Sequence, residues 1–160
     1  MKTSEAARLS SLSLEVTIRA EPEAVWKALT DDIGRWWPAE FYAGGAPGER
    51  RFVLEPWPGG RMFEEWKSGG LVWGNVIGVD PGKTLQVAGI TFPGWGGPTL
   101  WLGSWELSGE SGTTRLRFQE SAIGQTSPEN AAEKDKGWRF LFDGALRAHL
   151  EGTPPPVWSD

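Results

Sequence analysis

The sequence contains no cysteine, which excludes disulfide bonds, thiol nucleophiles and thiolate metal sites. It also lacks an apolar run near the roughly 20 residues of a membrane span, and no basic segment followed by an apolar one opens the chain. We therefore expect a cytoplasmic protein that is not inserted into a membrane. The net charge of -5 argues against nucleic-acid binding, which needs a basic surface.

Histidine is almost as scarce, because His149 is the only one in the chain. A nucleophilic serine needs a histidine base, and no Gly-x-Ser-x-Gly turn occurs. Glu64 and Glu65 are neighbours on a predicted strand, so their side chains point to opposite faces and cannot chelate one metal ion. We expect no catalytic triad, no metal site and no cofactor.

Tryptophan is the residue in excess, with 11 Trp against one Tyr. Each indole offers a large, rigid, mostly apolar surface with a single hydrogen-bond donor. Composition alone is compatible with a Trp-filled core and with an aromatic-lined cavity.

Two of the tryptophans are adjacent, in the segment GRWWPAEFY of residues 34–42. Two neighbours on an extended chain cannot both point into one core, and Pro38 biases Trp37 away from helix. We expect Trp36 to pack inward, while Trp37 turns toward a cavity entrance with Phe41 or Tyr42.

The order of the predicted elements indicates one α+β domain. Residues 12–19 alternate apolar and polar side chains, as in a half-buried strand, and Pro22 opens a short helix. Six short alternating runs separated by Gly and Pro turns follow between residues 51 and 124. A long helix then begins after Ser127 and ends at Gly152. We expect a flexible N-terminus over residues 1–11, a domain over residues 12–152 and a Pro-rich tail over residues 153–160.

A seven-stranded antiparallel sheet with one apolar face must cover that face, and the final helix is the only element long enough. A curved sheet wrapped around this helix, with two short helices after the first strand, is the predicted fold. Such a sheet seldom fills completely, so we expect an internal cavity.

Several motifs in this order resemble the START-like (SRPBCC) superfamily, which has the helix-grip fold. They are VWKALTD with RWWP, PGGRMFEE, GNVIGVDPGKTL, GTTRLRFQES and GWRFLFDGALRAHLEG. The closest resemblance is to the bacterial branch similar to the C-terminal domain of the ATPase activator of the ninety-kilodalton heat-shock chaperone. The resemblance covers about residues 12–152. It implies the fold more specifically than a function, since superfamily members bind lipids, hormones, aromatic polyketides or nothing known.

Strand alternation selects two carboxylates as candidate polar groups of the cavity. Glu120 shares a face with Leu116 and Phe118, and Glu64 shares one with Met62 and Trp66. Either glutamate, beside Asn75, would orient a polar group of a ligand. The alternative is that both lie at strand ends and reach solvent, because carboxylates are seldom buried unpaired.

The same alternation indicates which aromatic rings converge. Trp101 and Trp105 share a face on one strand, and Trp73 is placed with Asn75 on another. We expect Trp37, Phe41 and Trp95 at the cavity mouth. The expected lining consists of Trp66, Trp73, Trp105, Phe118, Trp138 and Phe142. Trp95, in the Gly-rich loop FPGWGGP, is either a lid residue or a homodimer contact.

These observations leave three hypotheses about function. The first is non-enzymatic binding of a small hydrophobic or aromatic ligand between the sheet and the C-terminal helix. The second is a cofactor-free enzyme of the cyclase, aromatase or dehydratase kind, as some superfamily members are. The third is a regulator of a chaperone ATPase, by analogy with the named relative.

Overall fold

A curved antiparallel sheet of seven strands is the main element of the protein. The computed structural model describes residues 6–159. The strands are β1 (Arg8–Ile18), β2 (Arg50–Leu54), β3 (Arg61–Trp66), β4 (Gly69–Asp80), β5 (Thr84–Thr91), β6 (Thr99–Glu110) and β7 (Thr113–Gly124). Their order across the sheet is β1-β7-β6-β5-β4-β3-β2, and every neighbouring pair is antiparallel. Strands β2 to β7 therefore follow one another in space, and β1 completes the sheet beside β7.

The helices lie in the connection from β1 to β2 and at the end of the chain. Two short helices, α1 (Pro22–Leu29) and α2 (Ile33–Trp36), follow β1, and single 3₁₀ turns occur at Ala39–Phe41 and Pro93–Trp95. The final helix consists of α3 (Pro128–Arg139), a π-helical segment (Phe140–Leu146) and α4 (Arg147–Glu151), here called the closing helix. None of the helices in residues 6–159 is long and apolar enough to cross a membrane.

The ends of the closing helix are those that the sequence predicted. The Ser127 hydroxyl oxygen accepts a hydrogen bond of 3.1 Å from the backbone N–H of Asn130, and Pro128 is the first helical residue. At the other end Gly152 adopts a φ of 69°, the left-handed conformation that glycine tolerates best. These caps set the bounds of the closing helix at residues 128 and 151.

The core lies between the closing helix and the inner face of the sheet. Leu14, Val16 and Ile18 of β1 are buried, as the alternation predicted, and they pack in one cluster with Leu141 and Leu146 of the closing helix. Burial of an aliphatic side chain of this size stabilises the folded state by about 1.5–3 kcal/mol relative to leaving it exposed. The seven-stranded sheet around one long helix confirms the α+β helix-grip fold.

Strand β1 begins at Arg8, four residues earlier than the predicted strand. Residues 8–11, expected to belong to a flexible N-terminal segment, pair with residues 121–124 of β7. Residues 1–5 of that segment lie outside the described residues. This additional pairing lengthens β1, which is the edge strand beside β7.

The Pro-rich tail packs back on the closing helix. The Trp158 ring makes edge contacts with Phe41 at 5.1 Å and Phe140 at 5.0 Å between ring centroids. The Lys136 ammonium lies 4.7 Å above the Trp158 ring and donates a hydrogen bond of 2.7 Å to the Ser159 carbonyl. The tail therefore supports the turn that carries Phe41.

Candidate functional site

A cavity of about 410 Å³ lies between the inner face of the sheet, α3 and the turn Pro93–Trp95. Pockets for small ligands typically measure about 300–1,000 Å³ and have mostly apolar walls. Six of the sixteen residues in the wall carry aromatic rings. The aromatic residues are Trp37, Phe41, Trp73, Trp95, Trp101 and Trp138.

Two glycines leave space for the indole of Trp101. Trp101 on β6 is paired with Gly89 on β5, and a Cβ atom on Gly89 would overlap the indole ring. On β6 itself, a Cβ on Gly103 would lie 3.0 Å from Trp105 and 3.1 Å from Trp101. On the inner face of the sheet, large aromatic rings therefore lie next to glycines, and the missing side chains leave room for the rings.

Trp138 forms the wall of the cavity on the closing helix. Its indole stacks on Phe142, one helical turn later, with a centroid distance of 5.5 Å and an interplanar angle of 5°. Phe118 and Trp105 contact Trp138 at centroid distances of 4.6 and 6.2 Å. Phe118, Trp105 and Phe142, which were expected to line the cavity, are buried behind Trp138. They support the wall because Trp138 lies between them and the cavity.

Glu120 is a polar group of the cavity wall. Its side chain points inward from β7, as the strand alternation predicted, and the residue is only 4% exposed. Its Oε1 accepts a hydrogen bond of 2.9 Å from Lys134 Nζ, and its Oε2 accepts one of 2.7 Å from Trp138 Nε1. Hydrogen bonds between charged groups are short and strong, so the bond from Lys134 fixes the orientation of the Lys134 and Glu120 side chains.

Glu64 is fully buried, but it does not line the cavity. Its Oε1 accepts hydrogen bonds from the backbone N–H groups of Ala43, at 2.7 Å, and Gly44, at 3.1 Å. Its Oε2 accepts a bond of 3.0 Å from Trp73 Nε1. Glu64 therefore fixes the loop that follows the turn Ala39–Phe41 and orients the indole of Trp73.

Asn75 lies on the outer face of the sheet, contrary to the prediction that it shares a face with Trp73. Met62 pairs with Gly74 and Phe63 pairs with Val72, so Trp73 is an extra residue in a β-bulge. The bulge shifts the alternation by one residue: Trp73 points into the cavity, whereas Asn75 is exposed. Asn75 is thus not beside either glutamate.

Trp66 is also outside the cavity, although it was expected in the lining. Its ring packs on the loop at Gly44 and Gly45 and lies close to Gly69 at the start of β4. A Cβ atom on Gly44 would come within 2.8 Å of the ring. The end of β3 is covered by this loop, so the indole is used for packing there.

The adjacent tryptophans are divided as predicted. Trp36 is buried, and its Nε1 donates a hydrogen bond of 2.7 Å to the Ala28 carbonyl. Trp37 lines the cavity and stacks on Phe52 with a centroid distance of 3.8 Å. Tyr42 packs against the edge of Phe52 and does not line the cavity; burial raises the pKa of its hydroxyl.

The cavity mouth is formed by two turns. Trp95 is 48% exposed and contacts Trp73 at a centroid distance of 5.4 Å. Phe41 stacks on Phe140 with a centroid distance of 5.5 Å. Trp95 thus has the position of a lid, one of the two roles expected for it.

Sequence reasoning missed part of the wall. Trp101 was assigned to the inner face but not to the site, although it is two residues from Trp105 on the same strand. Lys134 precedes Trp138 by one helical turn, and this spacing could have identified it. The other wall residues that were missed are Met62, Thr91, Gly94, Gly96, Asn130, Glu133, Gly137 and Leu141.

The part of the chain that the structure describes contains no cluster of three His, Cys, Asp or Glu side chains suited to a metal ion. Glu120 and Glu64 are instead satisfied by protein donors. The polar groups of the site are therefore suited to orienting side chains and ligand groups.

We predict that Glu64→Gln lowers the free energy of unfolding by about 2–4 kcal/mol, because the amide replaces one acceptor with a donor that faces other donors. Urea denaturation measures this change. The control is Glu65→Gln, which removes only an exposed ion pair with Arg51 and should cost at most about 1 kcal/mol. Equal losses in the two variants would contradict the role assigned to Glu64.

Three solved structures show the same fold. An uncharacterised protein from Rhizobium leguminosarum is 17% identical with a TM-score of 0.68, over 94% of this chain and 99% of that chain. CalU16 from Micromonospora echinospora is 21% identical with a TM-score of 0.62, over 94% and 84%. The Aha1 dimer from Colwellia psychrerythraea is 23% identical with a TM-score of 0.60, over 89% and 96%.

No protein of curated function matches the sequence. The family model of the Activator of Hsp90 ATPase homolog 1-like protein matches residues 19–151, which include strands β2 to β7 and the whole closing helix. The chain therefore belongs to the Activator of Hsp90 ATPase homolog 1-like family.

Proposed function

We propose that this chain is a cytoplasmic, non-enzymatic binding protein that holds a small hydrophobic or aromatic molecule in the cavity. The observation that carries the proposal is a cavity of about 410 Å³ whose walls include five indoles. Flat apolar molecules gain from area burial and from stacking or edge contacts with such rings. Trp95 and Phe41 at the mouth would cover the bound molecule.

The alternative of a cofactor-free cyclase or dehydratase needs a carboxylate that exchanges protons with a ligand. Glu120 lines the cavity, but both of its oxygens already accept bonds from Lys134 and Trp138. Glu64 lies outside the cavity wall, and Asn75 is on the other face of the sheet. This arrangement favours binding over catalysis.

A role in regulating a chaperone ATPase, which the family name suggests, needs an exposed surface for that partner. Among residues 6–159, the strongly exposed aromatic side chains are Trp57, Phe92 and Trp95. Phe92 contacts Trp95 at the cavity mouth. Of these three side chains, Trp57 is therefore the one that lies away from the mouth. The larger exposed apolar surface is aliphatic and lies on the outer face of the sheet.

That outer surface supports a homodimer as a second proposal. Leu9, Ile123, Leu100 and Ile90 are consecutive partners across four strands, and each is between 52% and 74% exposed. Exposed apolar rows of this kind mark interaction sites. A two-fold axis would place the row against itself, and the structural relative from Colwellia psychrerythraea is a dimer.

Titration with N-phenyl-1-naphthylamine, an uncharged aromatic probe whose fluorescence rises in apolar sites, tests the binding proposal. We expect binding accompanied by energy transfer from tryptophan. Trp95→Ala should weaken it about fivefold, because one wall of the cavity is lost. Trp57→Ala is the matched control, since Trp57 is 54% exposed and outside the cavity wall. Absence of binding, or equal effects of the two variants, would contradict the proposal.

Sedimentation equilibrium tests the dimer. The wild-type chain should have the mass of a dimer, and Leu100→Glu should convert it to a monomer because charge at a buried apolar contact is unfavourable. Thr17→Glu, at the opposite end of the outer face, should remain a dimer. A monomeric wild-type chain at all accessible concentrations would refute this assignment.

A further inference from the structure

One corner of the cavity is polar, and its composition restricts the ligand further. The charged residues in the wall are Glu120, Lys134 and Glu133. Glu120 and Lys134 form an ion pair of 2.9 Å, with side-chain exposures of 4% and 24%, whereas Glu133 is exposed. Thr91 and Asn130 are the uncharged polar side chains of the wall, and its other residues are apolar or glycine. A molecule that fills the cavity thus meets indoles on most sides and this ion pair on one.

Resting on the proposed function, we propose that the ligand is an uncharged, flat aromatic molecule with a carbonyl or similar hydrogen-bond acceptor, held by the ammonium group of Lys134. An ammonium group has three donors, and one of them is used by Glu120. Within residues 6–159 the other two meet no acceptor, which leaves them for an acceptor atom of a bound molecule. A hydrogen bond to a charged donor is stronger than one between neutral groups.

The charges of the corner favour an uncharged ligand. Glu120 already neutralises Lys134, so an anionic ligand would lose its hydration and lie beside two carboxylates. A cationic ligand at Glu120 would lie close to the ammonium group of Lys134, which is 2.9 Å from the same carboxylate and repels a second positive charge. A neutral acceptor can bond to the free donors of Lys134 without the desolvation of an anion and without bringing a second positive charge to the ion pair.

Three fluorescent probes of similar size test the inference. Prodan is a neutral naphthalene ketone, N-phenyl-1-naphthylamine is neutral without a carbonyl, and 8-anilinonaphthalene-1-sulfonate is the latter with an anionic group. We expect Prodan to bind most tightly and the sulfonate most weakly. Binding of the sulfonate more tightly than Prodan would overturn the inference.

The decisive variant is the double substitution Glu120→Gln with Lys134→Met, which removes the ion pair without leaving a buried charge. It should weaken Prodan about tenfold and shift the bound emission to shorter wavelength, because the bond to the carbonyl is lost. N-phenyl-1-naphthylamine, which has no carbonyl, should lose clearly less affinity than Prodan, and its retained binding also reports an intact cavity. Lys67→Met, at an exposed position, is the control and should change neither affinity.

The outcomes separate the two proposals. If N-phenyl-1-naphthylamine binds and the double variant keeps its wild-type affinity and emission for Prodan, Lys134 does not hold the acceptor and the inference fails alone. If no probe binds the wild-type chain, the proposed binding function fails, and this inference fails with it.

Discussion

Two buried glutamates, each bonded to an indole N–H, determine how the cavity is built. A carboxylate out of contact with water is costly unless its oxygens are satisfied by donors. Glu64 is satisfied by Trp73 and by two backbone N–H groups, and Glu120 by Trp138 and Lys134. Because each carboxylate requires these donors, two walls of the cavity have a fixed orientation.

The open space between those walls depends on sheet positions that carry no side chain and on one side chain that a bulge turns inward. Gly89 and Gly103 carry no side chain beside Trp101, and the β-bulge turns Trp73 toward the same volume. Behind Trp138, the rings of Phe118, Trp105 and Phe142 pack in the core and support this wall. Ligand pockets are usually largely preformed, and a supported wall beside open volume fits that description.

The sequence was most informative where the local pattern is regular. Alternation on β7 identified the inward position of Glu120, and the capping residues Ser127 and Gly152 located the closing helix. It failed at Asn75, because a bulge reverses the alternation and leaves no clear local signature in the sequence. Trp66 was misplaced because the loop at residues 44 and 45, distant in sequence, packs on its ring. Lys134 lies one helical turn before Trp138, a local signal that was available, but its ion pair with Glu120 joins two elements distant in sequence and has no local signature.

The central claim is that the cavity is open to a flat apolar molecule. ¹⁹F NMR of protein labelled with 5-fluorotryptophan tests it directly, since each of the 11 tryptophans reports its own surroundings. On addition of N-phenyl-1-naphthylamine, the account predicts the largest shifts at Trp37, Trp73, Trp95, Trp101 and Trp138, with Trp57 and Trp66 unchanged. No shifts, or shifts at Trp57 and Trp66 as large as those of the cavity residues, would contradict it.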